Sequence, residues 1–265
     1  MVCQNAYLCY DESMTIRIFW ADSRGKVVVA LVLLWLAGVL YPFPLSAVLF
    51  KPILAIAGSI IADAWLSRVR YGAWFFSLSS VITGLLIGLI VDPRSVGALF
   101  TAVILASASK YFLGFGRQKH IFNPAAFGIV LSSALFNRPV AWWGAAWGIV
   151  PLLIILFGML LPLRQLRRLW MPVSFLFVYG VGLALLSSAE SALKLTFDAT
   201  PFLFAWVMLT EPITVPSRGL WRYGWGALVG ALVIGFHVVG ISWSDPLLIA
   251  LLLANIVGFF LKRIV

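Results

Sequence analysis

Long runs of apolar residues, separated by short polar connections, occupy most of this chain and restrict its fold more than any other feature. Ten such runs are present, at 27–41, 45–67, 72–91, 95–113, 121–136, 140–160, 169–188, 199–212, 223–240 and 245–261. Only 11% of the residues are charged and the mean hydropathy is +1.05, whereas about a quarter of the residues in a typical soluble domain are charged. The pattern predicts an all-α integral membrane protein with about ten transmembrane helices.

The formal net charge of +10 comes largely from Lys and Arg residues in the connections, and it predicts an orientation. Alternate connections hold clusters of basic residues, namely Arg68 and Arg70, Arg117 and Lys119, Arg164, Arg167 and Arg168, Arg218 and Arg222, and Lys262 and Arg263. Cytoplasmic loops of membrane proteins carry this excess. We therefore expect a multi-pass protein of the cell (inner) membrane that contacts the lipid bilayer, with cytoplasmic N- and C-termini and no nucleic acid as partner.

The side chains offer little chemistry of their own. The two cysteines, Cys3 and Cys9, have a spacing that fits no zinc or iron–sulfur ligand set. The two histidines, His120 and His237, lie on opposite sides of the expected topology, which excludes a bis-histidine haem. No nucleophile elbow or phosphate loop is present, so any catalysis would belong to a bound cofactor.

The domain organisation follows from the order of the runs. Residues 1–25 are polar and lack the apolar stretch of a secretory signal, so we expect a cytoplasmic segment there and a single transmembrane domain at 26–265. Ten runs divide into two sets of five, and an odd number per set predicts inverted repeats at about 26–136 and 140–262.

The third and eighth runs support the inverted repeats. The third run ends at Asp92-Pro93 and the eighth at Glu211-Pro212, although an acid before proline also marks an ordinary helix exit. The eighth run has about 14 residues, and a full crossing needs about 20. We expect short or broken helices at both positions, and such helices at matching places in inverted halves indicate a site near the middle of the membrane.

A helix start follows the basic residues of the fourth connection. Asn123 has the side chain of an N-cap, and Pro124 suits the first helical position. The free backbone N–H groups of a first turn carry a partial positive charge, which favours an anion or a carbonyl oxygen. Arg117, Lys119 and His120 lie just upstream. Two interpretations are open here, a ligand site or an ordinary transmembrane helix with basic flanks.

Three motifs carry a resemblance to a known family. They are Thr83-Gly84-Leu85-Leu86-Ile87-Gly88-Leu89 running to Asp92-Pro93, Phe122-Asn123-Pro124-Ala125-Ala126-Phe127-Gly128, and Thr210-Glu211-Pro212-Ile213-Thr214-Val215-Pro216. In this order and spacing, from about residue 45 to the end, the chain resembles the RnfD/NqrB family, the ten-helix membrane subunits of the Rnf and sodium-pumping NADH:quinone oxidoreductase complexes. The resemblance implies a fold similar to that of urea and ammonium channels. It also implies flavin-dependent electron transfer coupled to ion movement, with other membrane subunits of a redox complex as partners.

One departure from the family pattern restricts how a flavin could be attached. Family members with covalent FMN attach it to a Thr in the outward loop after the Asn-Pro-Ala helix. The corresponding stretch here, Phe136-Asn137-Arg138-Pro139, contains no Thr. We therefore expect a short, divergent member with a non-covalent flavin, either riboflavin or FMN, and we do not expect covalent FMN.

The candidate flavin-binding residues implied by the motifs are Asn123, Thr210, Glu211, Phe122, Thr83 and Lys119. An isoalloxazine ring has carbonyl oxygens and an N–H on one edge, so Asn123 suits it as donor and acceptor and Glu211 as acceptor. Nearby aromatic side chains would either stack on the ring or fill the core, namely Phe122, Phe127, Phe204 and Trp206.

The acids inside apolar runs need partners, because an unpaired charge is costly in a membrane. Glu211 is either a ligand-binding group or a helix-end charge answered by Arg218 or Arg222. Asp63 is expected near the inner interface, paired with one of the two arginines that follow it, Arg68 or Arg70.

The leading hypothesis is a flavin-binding integral membrane subunit of an electron-transport complex that moves electrons through the membrane and can couple this to cation transport. Such a chain would be an oxidoreductase-complex subunit without catalytic side chains of its own. Two alternatives are open. The first is a small-solute or vitamin channel or transporter on the same scaffold. The second is an assembly scaffold for redox partners that binds no ligand.

Overall fold

The computed structural model of the protein describes residues 20–41, 45–92, 94–114, 120–216, 219–240 and 244–264, and this part of the chain is helical. Its eleven α-helices are α1 Ser23–Leu40, α2 Leu45–Tyr71, α3 Leu78–Ile90, α4 Val96–Phe112, α5 Pro124–Phe136, α6 Ile149–Gln165, α7 Trp170–Leu186, α8 Ala189–Thr196, α9 Ala199–Leu203, α10 Trp221–Val239 and α11 Pro246–Ile264. A π-helical segment, Phe204–Met208, continues α9. The all-α fold predicted from the apolar runs is confirmed.

Each apolar run corresponds to one helix, and α8 is an additional short one. By length and composition, Ser23–Leu40 and Val48–Tyr71 are long and apolar enough to cross a membrane, and eight further apolar helices are shorter. The short α8 joins α7 to α9 and carries an exposed pair of opposite charges, Glu190 and Lys194, 2.7 Å apart. Its mixed composition explains why the run pattern does not predict it.

The helices at the third and eighth positions are short. The α3 helix has 13 residues, and α9 has five before its π-helical continuation of five more. In that continuation the N–H of Leu209 donates to the carbonyl oxygen of Phe204 at 2.9 Å, five residues back. Both elements fall well below the about 20 residues of a full crossing, so their last carbonyl groups need partners inside the protein.

A loop from residue 137 to 148 supplies the partners for α3. The N–H groups of Ala141 and Gly144 donate to the carbonyl oxygens of Ile90 and Leu89 at 3.0 and 2.9 Å. Trp142 has a φ of 46°, which is rare for a residue other than glycine and interrupts any helix at this point. The sixth run is therefore helical only from Ile149 to Gln165, whereas its apolar composition predicted 140–160.

The helices pack in two similar sets. In the first set, α1 packs on α3, α2 on α4, and α4 on α5. Five runs later the same relations recur, with α6 on α9, α7 on α10, and α10 on α11. Between the sets, α1 packs on α6 and α5 on α11. Contacts within the first set therefore have counterparts five positions along the order of the runs.

The helices α5 and α11 also begin alike. In α5 the side chain of Asn123 accepts the N–H of Ala126 at 3.0 Å, and Pro124 is the first helical residue. In α11 the carboxylate of Asp245 accepts the N–H of Leu248 at 3.1 Å, and Pro246 comes first. An N-cap followed by proline thus starts the fifth and the tenth runs.

Glycines allow the closest helix contacts. A Cβ at Gly84 would lie 2.5 Å from the Cα of Ile56, and one at Gly226 would lie 1.9 Å from the carbonyl oxygen of Met171. The backbones of α3 and α2, and of α10 and α7, can approach this closely only because no side chain intervenes. The bundle is therefore tightly packed around the short helices.

Candidate functional site

Asn123 connects three helices at one end of the bundle. Besides capping α5, its side-chain Nδ2 donates to the carbonyl oxygen of Met208 at 3.3 Å, at the end of the π-helical segment. Its backbone N–H donates to the Oδ1 atom of Asn255 on α11 at 2.8 Å. The residue is 3% exposed. Since both polar atoms of the side chain are engaged, Asn123 fixes the start of α5 against the end of the eighth run.

Glu211 follows Thr210 at the end of the eighth run, and its carboxylate has two protein partners. One oxygen lies 3.1 Å from Nε2 of His120, and the other accepts the hydroxyl of Thr214 at 3.2 Å. The side chain is 18% exposed, so it is still open on one side. Of the partners expected from the sequence, Arg218 and the side chain of Arg222 lie outside the described residues.

Arg168 holds the backbone that carries Glu211. Its guanidinium donates to the carbonyl oxygens of Thr210 and Glu211 at 3.0 and 3.1 Å, and these are the free carbonyls expected at a helix end. Burial lowers the pKa of Arg168 to about 10, and the nearby Glu211 opposes this shift. Arg168 therefore remains charged at neutral pH. The sequence pattern assigned it only to membrane orientation.

These residues surround a narrow cleft. Four of the candidate residues lie on its wall, namely Thr83, Asn123, Thr210 and Glu211. Apolar side chains from four helices and the π-helical segment form the rest of the wall, including Val27, Ile82, Leu86, Met159 and Val207. The cleft has about 720 Å³ of space free of protein atoms when its open mouth is counted, within the range of small-molecule sites.

The polar groups of the cleft wall are mainly acceptors. The hydroxyl of Thr83 donates to the carbonyl oxygen of Ser79, and that of Thr210 donates to the carbonyl oxygen of Trp206, each at 2.8 Å. Their remaining lone pairs, together with those of Glu211, can accept an N–H from a ligand. Ala125 also lines the cleft and lies in the first turn of α5, where helix geometry leaves the N–H without an acceptor in its own helix. The wall thus combines acceptors, a donor and apolar faces.

The remaining candidate residues lie elsewhere. Phe122 stacks on Phe127 with ring centroids 5.4 Å apart and does not line the cleft. Phe204 packs against Phe175, and Trp206 stacks on Phe202. These aromatic residues therefore fill the protein core. Lys119 lies outside the described residues.

A second, more polar cavity adjoins the cleft. It has a volume of about 330 Å³ and shares Arg24, Ser79 and Ile213 with the cleft wall. His120 lines this cavity while its partner Glu211 lines the cleft. The His120–Glu211 pair therefore lies between the two spaces.

The partner of Asp63 in this cavity differs from the sequence-based expectation. Its Oδ2 atom lies 2.7 Å from Nζ of Lys110 and accepts the hydroxyl of Ser80 at 2.5 Å. The expected pairing with Arg68 or Arg70 is wrong, since both arginines are exposed and Arg68 donates to the carbonyl of Gly72. Lys110 is 47 residues away in the chain. Only the packing of α2 against α4 brings the two together.

Comparison with known proteins identifies relatives over part of the chain. No family model matches it. The RnfD protein of the ion-translocating oxidoreductase complex of Yersinia pseudotuberculosis serotype O:1b (strain IP 31758) is 32% identical over 133 residues, 48% of this chain and 37% of that protein. The protein of the same name from Cronobacter sakazakii (strain ATCC BAA-894) is 33% identical over 142 residues, 52% of this chain and 39% of that protein.

A third relative, from Cellvibrio japonicus (strain Ueda107), also has this name and is 29% identical over 146 residues, 51% of this chain and 40% of that protein. The match thus spans 37–40% of the length of these curated relatives. Motifs, helical fold and relatives agree, and the chain belongs to the RnfD family of ion-translocating oxidoreductase subunits.

Proposed function

We propose that this chain is a flavin-binding membrane subunit of an electron-transport complex. The observation that carries the proposal is the cleft, where Thr83, Asn123, Thr210 and Glu211 from three separate motifs lie on one wall. The relatives are named as subunits of an ion-translocating oxidoreductase complex. Electron transfer, coupled cation movement and contacts with other membrane subunits of such a complex belong to this proposal.

The residues of the cleft fit the two sides of a flavin ring. Glu211 and the hydroxyl oxygens of Thr83 and Thr210 accept an N–H at the polar edge, and the N–H of Ala125 donates to a ring carbonyl. Val27, Ile82 and Val207 contact the apolar faces and exclude water. A bound flavin supplies electron transfer, for which the protein provides position and electrostatics.

We propose non-covalent binding of riboflavin or FMN. The loop from residue 137 to 148, which follows the Asn-Pro-Ala helix, contains no Thr along its whole length. A phosphoester of the kind implied by the family resemblance has no attachment point there. This supports a flavin held only by the contacts of the cleft.

We further propose ten membrane crossings in two inverted repeats, with both termini cytoplasmic and the protein in the inner membrane. The recurrence of helix contacts five runs apart supports the repeats. So do the matching starts of α5 and α11 at Asn123-Pro124 and Asp245-Pro246. The positive-inside distribution of Lys and Arg supports the orientation.

An absorption and fluorescence spectrum of the purified full chain tests the proposal. After gentle detergent extraction, we expect the absorption of an oxidised flavin, released as free flavin when the protein is denatured. A pure, folded sample without flavin that also fails to bind added riboflavin and FMN would contradict it. Uptake of a neutral solute into proteoliposomes by such a sample would instead support a channel.

A further inference from the structure

The polar cavity next to the cleft contains one buried atom that needs a hydrogen-bond donor. Asp63 is 2% exposed, and its Oδ2 atom is satisfied by Lys110 and Ser80. Its Oδ1 atom is buried without a hydrogen-bond partner among the described groups. A buried carboxylate oxygen is costly to leave unpaired, so a donor from outside the protein fits here.

The charges around this oxygen restrict the donor. Lys110 already neutralises Asp63 at 2.7 Å, so a second cation would meet a positive charge close by. Phosphate, which has only acceptor oxygens when fully ionised, would meet the unpaired carboxylate oxygen. His120 is engaged with Glu211, and Arg24 is partly exposed at the start of α1, where solvent weakens its attraction. A neutral hydroxyl group is therefore the donor that fits best.

We propose that the Asp63–Lys110 pair forms a subsite for a neutral, hydroxyl-bearing chain attached to the ring in the cleft, and that it selects against a phosphorylated chain. The inference rests on the proposed function, because the ring is the part that occupies the cleft. The two spaces share Arg24, Ser79 and Ile213, so one molecule can extend from one to the other. Ser77 in the same cavity is a further group that can bond chain hydroxyls.

Binding of three flavins to the full chain tests this subsite. Lumiflavin has the ring with a methyl group in place of the chain, riboflavin has a neutral polyhydroxyl chain, and FMN has the same chain with a phosphate. By equilibrium dialysis in detergent, we expect riboflavin to bind at least about tenfold more tightly than either of the others. Equal affinities for riboflavin and lumiflavin would overturn the subsite, and so would tighter binding of FMN.

The variant Asp63→Asn sharpens the test. An amide can donate from the position of the free oxygen, and Lys110 then keeps its full positive charge, so the ratio of riboflavin to FMN affinity is expected to fall about tenfold or more. Lumiflavin binding reports whether the cleft is still folded. As the matched control, Glu190→Gln removes an exposed acid from α8, and the ratio is expected to stay unchanged.

The outcomes separate this inference from the proposed function. If the wild-type chain binds none of the three flavins, the proposed function fails and the subsite fails with it. If all three bind alike, or if Asp63→Asn retains lumiflavin binding and the wild-type ratio, the flavin site stands and the subsite is wrong. The wild-type series decides the matter even if Asp63→Asn does not fold.

Discussion

Asn123 and Glu211 line the same cleft, but their side chains differ in how much hydrogen-bonding capacity remains. The amide of Asn123 uses its oxygen on Ala126 and its nitrogen on Met208. Each carboxylate oxygen of Glu211 has one partner, His120 or Thr214, and so keeps a lone pair. Glu211 is therefore the better ligand-binding group, and Asn123 is mainly a positioning residue.

The variant Glu211→Gln is expected to bind riboflavin about tenfold more weakly, with the fold retained. A hydrogen bond to a charged acceptor contributes about 1 kcal/mol more than one to a neutral acceptor, and glutamine has nearly the same shape. Fluorescence quenching of riboflavin titrated with the purified variant measures the change. Glu190→Gln is the control for loss of an acid, and equal affinities of the two variants would refute the role of Glu211.

The variant Asn123→Ala is expected to destabilise the protein by about 2–4 kcal/mol, from the lost cap and an unpaired Met208 carbonyl. The motif alone predicts that this variant lowers ligand binding and spares the fold, and the hydrogen bonds change the second expectation. Thermal unfolding in detergent, followed by tryptophan fluorescence, measures the loss.

The variant Asn123→Asp provides the comparison for that loss. A carboxylate still accepts the N–H of Ala126 and loses only the bond to Met208, so a smaller decrease in unfolding temperature is expected. If Asn123→Ala unfolds at the wild-type temperature, the three-helix junction at Asn123 does not contribute to stability as described.

The motifs predicted some of these residue environments from the sequence and not others. An N-cap side chain before proline is a local pattern, so the role of Asn123 in starting α5 could be read directly. The Asp63–Lys110 pair and the Arg168 bonds to Thr210 and Glu211 join residues 47, 42 and 43 positions apart. No local pattern contains these contacts, because they depend on which helices pack together.

At the scale of helices, small residues decide where two backbones meet. Gly226 of α10 faces the backbone of α7, where an added Cβ would lie 1.9 Å from the carbonyl oxygen of Met171 and 2.4 Å from Oγ of Ser174. Gly224, just before it in the same helix, has nothing within 4 Å of such a Cβ. The two glycines thus have opposite structural roles although they lie within one helical turn.

The variants Gly226→Ala and Gly224→Ala test this difference. Gly226→Ala is expected to lower the unfolding temperature, because α10 must move away from α7 to admit the methyl group. Gly224→Ala is expected to be neutral or to stabilise by up to about 1 kcal/mol, because alanine favours a helix. Thermal unfolding of both variants in one detergent compares them, and equal effects would contradict the close contact.

The limits of sequence-based prediction also differ among the helices. Apolar runs predicted the existence and order of the ten apolar helices, since composition is a strong signal over about 15–20 residues. They did not predict that residues 140–148 form a loop around Trp142, because a tryptophan-rich loop buried against α3 has the same apolar composition as a helix. The π-helical turn at Phe204–Met208 likewise leaves no mark in composition.

For the whole molecule, the orientation in the membrane follows from charge, and it can be measured. The exposed residues Arg164, at the end of α6, and Glu190, on α8, lie at opposite ends of α7. With Cys3 and Cys9 replaced, cysteines at 164 and 190 are expected to react with a membrane-impermeant thiol reagent from the cytoplasmic and the outer side, respectively.

Labelling of inside-out and right-side-out vesicles provides this measurement. Cysteine 164 is expected to react only in inside-out vesicles and cysteine 190 only in right-side-out vesicles. Reaction of both from one side would rule out a crossing by α7, and the reverse pattern would invert the proposed topology. In either case the cleft would open to a different compartment from the one proposed.

The widened turn at Phe204–Met208 ties the cleft to the length of its polypeptide. Each residue of an α-helix advances the chain by about 100° around the axis. Deleting one residue here and restoring ordinary helical bonding would therefore swing the carboxylate of Glu211 about 100° away from His120. Spacing between Asp198 and Glu211 is thus the property that inheritance must preserve in this stretch, and gains or losses of single codons are the changes that it tolerates least.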